Sequence, residues 1–326
     1  MAFAVCSDIT IGKFEHVKPH EVKINKSIYE YVDRAVIKLP ITARIIRAGE
    51  VITASAETAK QFTEGDKVVI KLGYNGDLKQ EFIGFISRVN FKQPLEVECE
   101  GYSYQLRKKT FKGTVKNIEL KDLLKKIIAD TDIVLADNIP GFPIDKIVLE
   151  GKDGCQILES IRGASRQNIR FFFLGNELWG GHQYVNIKNT VRYQMGWNVI
   201  KDGNLKLRQA NSQKAEINWV GVKKDGSKVK VKTGKGGVVK THTSHMFTDK
   251  TSLQQLSDSE HKHISFDGYE GKITAYGIPF CQPNYAAKVD DAKYKERSGQ
   301  YIVENIEVSY GMSGFRRTVG IGAKLL

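Results

Sequence analysis

The spacing of apolar residues changes twice along this chain, and that alternation limits the folds open to it. Up to about residue 100 the pattern is that of strands. Lys67-Val68-Val69-Ile70-Lys71-Leu72 and Phe82-Ile83-Gly84-Phe85-Ile86-Ser87-Arg88-Val89 flank Asn75-Gly76, a dipeptide that tolerates the positive φ of a tight hairpin turn. Val22, Ile24 and Ile28 share one strand face, with Lys26 as the exception. Ala35–Leu39 ends at Pro40, Val51-Ile52-Thr53 is short and β-branched, and Leu95–Cys99 alternates. Ser55–Phe62 is the one brief helix expected among them.

From Glu119 to Ala129 the period becomes helical. Leu120, Leu123, Leu124, Ile127 and Ile128 fall on one helix face, and Asn117 is the expected N-cap. A second helix is expected to begin at Asp153, with Gln156 at capping-box spacing, and to bury Ile157, Leu158, Ile161 and Ala164. Ile169–Leu174 then reads as a strand ending at Gly175. Strands return in the last third. Ile217–Val220 mostly alternates, Lys228–Lys232 sets lysines against valines, and Tyr301–Tyr310 and Phe315–Ile321 form a terminal pair about Gly311–Gly314. Short helices are expected at Leu253–His261 and Tyr285–Lys295. The fold class is mainly β with an α/β insert.

Composition narrows the class further. Of 326 residues, 41% are hydrophobic and 27% charged, which is ordinary for a folded chain and unlike a disordered one. No apolar run approaches the ~20 residues that span a bilayer, so no membrane anchor is expected. Ala2–Cys6 is too short for a signal-peptide core, so assembly in the cytoplasm is expected. Lysine and arginine exceed the acids by 13. Nearly half of that excess lies in residues 221–240, where Lys223, Lys224, Lys228, Lys230, Lys232, Lys235 and Lys240 face the single acid Asp225. A nucleic-acid binder, a membrane-surface protein and a protein with one basic loop all fit this pattern. Cys6, Cys99, Cys155 and Cys281 are far apart with no CxxC pair, which points to reduced thiols rather than a disulfide framework or a zinc site.

No motif carries chemistry. His242-Thr243-Ser244-His245 and His261-Lys262-His263 have spacings that a metal site can use, but they stand in a polar stretch without a cysteine and read as solvated. Gly-x-Ser-x-Gly is absent. Thr233-Gly234-Lys235-Gly236-Gly237 lacks the phosphate-loop spacing and reads as a turn between two lysine-bearing strands. Glu98, Glu100 and Asp132 give no defined catalytic pair. The lysine-rich stretch lacks the arginine forks and stacking aromatics of specific nucleic-acid readers, although a basic nucleic-acid-binding β protein remains an alternative. No catalytic, cofactor-binding or metal-binding residue is assigned.

The order of elements resembles that of phage baseplate hub proteins. A short helix precedes Glu64-Gly65-Asp66-Lys67-Val68-Val69-Ile70, then Asn75-Gly76, then Phe82-Ile83-Gly84-Phe85-Ile86 as an F-x-G-x-I strand. Leu95–Glu100 followed by Gly101-Tyr102-Ser103-Tyr104-Gln105-Leu106 is similar to the hub pattern of a strand and a short aromatic helix, and Leu120–Leu124 to its leucine-rich helix. The resemblance is to late control protein D of contractile phage tails and to the base of VgrG spikes in type VI secretion, over residues 20–325. The segment 221–265 has no counterpart in that pattern.

The resemblance implies two tail-tube-like β-barrels per protomer plus a small α/β domain. Residues 1–110 would form the first barrel, 111–185 the α/β insert, and 186–326 the second barrel with a lysine-rich hairpin and loop insertion at about 222–265. It also implies a homotrimer forming a pseudo-six-fold ring that joins a tail tube or tube-initiator protein to a separate central spike. Such a protein sits in a virion tail baseplate or bacterial injection apparatus, performs no reaction, needs no cofactor and meets nucleic acid only as it passes through the channel. A tail-associated cell-wall hydrolase is the enzymatic alternative. The candidate partner-facing residues are Lys228, Lys230 and Lys232 in the lysine hairpin Lys223–Lys240, which reads equally as a solvated edge protected by its lysines, and Tyr310 and Phe315 in the terminal hairpin. The last two are also candidates for intrachain core, where large aromatics usually lie.

Overall fold

The alternating strands of both β regions hydrogen-bond into one sheet. A computed structural model describes residues 4–47, 50–182, 189–210 and 214–325; the side chains of residues 43–56 and of Asn204 lie outside the description, as do Ala2 and Phe3. Among the described residues the sheet has twelve strands. Its main path runs Val5–Ile11, Lys67–Tyr74, Asp77–Asn90, Leu95–Glu100, Glu30–Leu39, Glu21–Ser27, Gly299–Gly311, Gly314–Leu325, Gly268–Tyr276, Val199–Arg208. A branch from Gly299–Gly311 carries Ala286–Asp290 and then Thr190–Gln194. The two β regions meet where Glu21–Ser27 pairs antiparallel with Asn305–Gly311. One apolar core spans that joint, with Ile9, Ile70, Phe82 and Val97 from the first region and Tyr193, Ile273, Tyr301 and Val319 from the second.

The turn chemistry is visible at Asn75 and Gly76, whose φ angles of 52° and 86° have the sign a two-residue I′ hairpin requires. Gly84 has a different task. A Cβ there would stand 2.2 Å from the Glu100 carbonyl oxygen on the next strand, so the close approach of Asp77–Asn90 and Leu95–Glu100 depends on a missing side chain.

The middle of the chain forms the expected α/β unit. Leu120–Ile128 buries Leu120, Leu123, Leu124 and Ile127. Asp153 caps Gly154–Ala164 in a complete capping box, accepting from the Gln156 amide while the Gln156 side chain accepts from the Asp153 amide. Ile157, Leu158 and Ile161 are buried beneath it. Asn117 is not the cap of the first helix. Strand pairing of Thr114–Glu119 with Pro143–Val148 runs through to Glu119, so the helix starts only after Glu119. Asn117 instead takes a φ of 49° within the strand, a conformation asparagine tolerates better than most residues.

Three other expectations give way to pairing. Of Ser55–Phe62 only Thr58–Gln61 is helical, as a 3-10 turn, because Glu50–Glu57 pairs with Thr42–Arg47. Tyr285–Lys295 is not a helix. Ala286–Asp290 lies as a strand between Thr190–Gln194 and Gly299–Ile302, with Ala287 and Val289 buried. The lysine-rich segment is not one hairpin either. Ala215–Val222 is central, Lys228–Thr233 pairs antiparallel on one side, and Val238–Ser244 pairs parallel on the other. Residues 234–237 therefore cross over rather than turn back. Gly237 passes so close to Lys214 that a Cβ would stand 1.9 Å from its carbonyl oxygen.

Helix Lys250–Ile264 backs this small sheet and is longer than the Leu253–His261 segment read from sequence. Ile217, Trp219, Val231, Phe247, Leu253 and Leu256 join the same apolar core as Leu123, Leu124, Ile157 and Phe171. The stretch read as a polar loop is thus packed on the α/β unit.

Candidate interaction surfaces and buried joints

The alternation of Lys228–Thr233 sorts its side chains. Lys228, Lys230 and Lys232 are exposed, while Val231 is buried above the helix. Lys232 pairs with Glu216 at 2.7 Å. Lys228 and Lys230 form no ion pair among the described residues. On the inner side Glu260, 8% exposed, gathers the unit. It accepts from Trp219 Nε1 at 3.3 Å and from Asn168 Nδ2 at 3.4 Å, and meets His242 Nε2 at 3.0 Å. One carboxylate so ties the helix to the small sheet and to the α/β unit.

The four histidines are not assembled into a site. His242 faces Glu260, His245 is exposed, and His261 lies beside Gly234. His263 sits near the Tyr29 ring, and burial, helped by the charges of Arg170, Arg208 and Lys240, pushes it down to about 4. Among the described residues no group of three or more histidine, cysteine or acidic side chains is arranged to hold a metal. Glu98 accepts from Asn90, Glu100 from Ser103 and Arg107, and Asp132 from Gln105. All four cysteines are free, and burial pushes the Cys155 and Cys281 thiols up to about 12 and about 11.

Tyr310 and Phe315 stand opposite each other in the terminal hairpin. Phe315 is 1% exposed, and its ring centroid lies 5.4 Å from that of Tyr74 in the first β region. Tyr74 Oη donates to the Phe315 carbonyl at 2.8 Å. Phe315 is therefore enclosed by its own chain. Tyr310 is half-buried beside it, and Met312 at the hairpin tip is 95% exposed.

Two cationic side chains lie in the core, Arg317, which sequence reading did not single out, and Lys26, already the exception on its apolar strand face. Arg317, fully buried, donates from Nη1 and Nη2 to the two carboxylate oxygens of Glu81, and to the carbonyls of Gly277 and Cys281. Its five N–H groups meet five acceptor contacts, the full capacity of a guanidinium. Glu81 belongs to the first β region and Arg317 to the second, so the pair fastens the two together. A signal was present. Phe315, Arg317, Val319 and Ile321 occupy alternate positions on one strand face, and an arginine in such a row needs a buried partner.

Lys26, on the face of Val22 and Ile24, is the second case. Its Nζ donates to Gln282 Oε1 at 3.1 Å and lies 4.0 Å from the Asp33 carboxylate. Lys26 and Gln282 also line a cleft of about 290 Å³ shared with Leu174 and Glu177 of the α/β unit. Burial raises the Asp33 carboxyl from 3.8 to about 6, against the pull of Lys26. Asp33 thus holds its proton more tightly folded than unfolded. Its contribution to stability is full below the ordinary value of 3.8 and is lost as pH rises through about 6. Asp33→Asn is expected to flatten stability across that window in urea unfolding at stepped pH. A profile unchanged by the substitution would contradict this.

No helix among the described residues is long and apolar enough to cross a membrane. No protein-family model matches the sequence, and no curated protein matches it. Solved structures do match. The 43 kDa tail protein of prophage MuSo2 from Shewanella oneidensis is similar at 13% identity over 98% of this chain and 98% of that one, with a TM-score of 0.66. The tail protein from Neisseria meningitidis MC58 is similar at 14% identity over 98% and 96%, with a TM-score of 0.64. The E. coli c3393 protein, a component of the type VI secretion system with structural similarity to T4 tail proteins gp27 and gp5, is similar at 10% identity over 97% and 77%, with a TM-score of 0.62. At these identities the likeness is one of fold, and the fold of this chain is that of phage tail proteins.

Proposed function

We propose that this chain is a structural baseplate hub of a contractile phage tail or related injection machine, located in the tail baseplate or apparatus. The observation that carries the reading is the fold match over 98% of both chains with a prophage tail protein. In this reading each β region is one tail-tube-like barrel, and three protomers form a pseudo-six-fold ring with a tail tube on one side and a central spike on the other. The work is symmetry matching, and no bond is made or broken. The sheet supports such a ring physically. Among the described residues Val5–Ile11, Val199–Arg208 and, on the branch, Thr190–Gln194 are outer strands, each paired with one other strand, and an isolated bridge ties Met195 beside the branch to Val199. Pairing Val5–Ile11 of one copy with an outer strand of the next would be a head-to-tail contact that covers open edges and gives a ring where the rotation between copies closes. Lys228, Lys230 and Lys232 face a partner within the assembly. The test is the mass of the purified chain over a concentration series. A species three times the 36.6 kDa chain mass is expected, and a monomer throughout would count against the ring.

A further inference from the structure

The small sheet has two outer edges that differ in chemistry. Among the described residues Lys228–Thr233 pairs only with Ala215–Val222, so its far side offers unpaired backbone N–H and C=O groups. Its exposed lysines recur at every second residue, about 6.8 Å apart along the strand. The face beside them holds Val220 and Thr243 next to Lys230, and Asn218 and Thr241 next to Lys232. Glu216 is already engaged by Lys232, which leaves Lys228 and Lys230 without a carboxylate. The opposite edge, Val238–Ser244, carries one lysine, Lys240, and its Nζ lies 3.9 Å from Glu260.

We infer that the outer edge of Lys228–Thr233 is a strand-addition site for an extended acidic segment bearing a carboxylate at every second residue. Residues directly across an added strand have Cβ atoms ~4.5–5.5 Å apart, within reach of lysine and glutamate. Backbone pairing supplies the attachment and the lysine row supplies the choice of partner. The same row repels a second copy of itself. Lysine in place of arginine, and a face without aromatic rings, fit carboxylates better than nucleic acid. The inference rests on reading this face as partner-facing and is independent of the ring.

The test uses the full chain and two labelled peptides of equal composition. One alternates glutamate with valine and threonine; the other holds its glutamates in a block. Duplex DNA is the third probe. The alternating peptide is expected to bind saturably, about tenfold tighter than the block peptide, and to weaken with added salt. Lys228→Gln/Lys230→Gln should lose that preference. Lys228→Glu/Lys230→Glu should transfer binding to a peptide alternating lysine with valine and threonine. Equal binding of the two acidic peptides, binding unchanged in the glutamine variant, or binding of DNA alone would overturn the inference. The mass of each variant reports on the ring separately.

Discussion

Arg317→Met is expected to cost the fold about 3–5 kcal/mol, the range for breaking a buried ion pair by removing one partner. Glu81 is 1% exposed and has Arg317 as its charged partner, so the substitution strands a carboxylate in the core. It also frees the carbonyls of Gly277 and Cys281. The double variant Glu81→Leu/Arg317→Met removes both charges and should be much milder, because apolar replacement of a whole buried pair is often near neutral. Urea unfolding of the three proteins measures this directly. A single variant within about 1 kcal/mol of the parent, the value of an exposed pair, would mean that the pair does not fasten the two β regions.

Gly84→Ala is the second large effect, at about 3 kcal/mol, the upper part of the range for overpacked sites. The new methyl would meet the Glu100 carbonyl at 2.2 Å and the Phe82 ring at 2.8 Å. Backbone cannot swing aside as a flexible side chain can, so two central strands must part. Gly163→Ala is the control. Nothing lies within 4 Å of its Cβ position, inside the helix Gly154–Ala164, and alanine there should stabilise by up to about 1 kcal/mol. Equal effects at the two positions would remove the close-approach account of the Phe82–Ile86 motif.

Local chemistry was the legible part of this sequence. The Asn75-Gly76 turn, the Asp153–Gln156 capping box and the Leu120–Ile128 face each depend on residues a few positions apart. The mixed β and α/β character followed from the same short-range signals. What escaped depends on distant partners. Glu81 and Arg317 are 236 residues apart; the apolar row around Arg317 signals that it needs a buried partner, but nothing local names Glu81 as that partner until the sheet brings them together. Tyr285–Lys295 is rich in alanine and lysine, which favour helices, yet two flanking strands claim it for the sheet. The Lys223–Lys240 segment showed its lysine–valine alternation, while the parallel placement of Val238–Ser244 required the crossover at Gly234–Gly237. Of the candidate partner-facing residues, the three lysines are exposed. Phe315 is enclosed by Tyr74, which no local pattern announces.

Electron microscopy of the purified chain at high concentration tests the proposed ring. Three-fold particles with a central channel and six similar lobes, two from each chain, are expected. Compact single-chain particles without three-fold symmetry, at every concentration imaged, would contradict it.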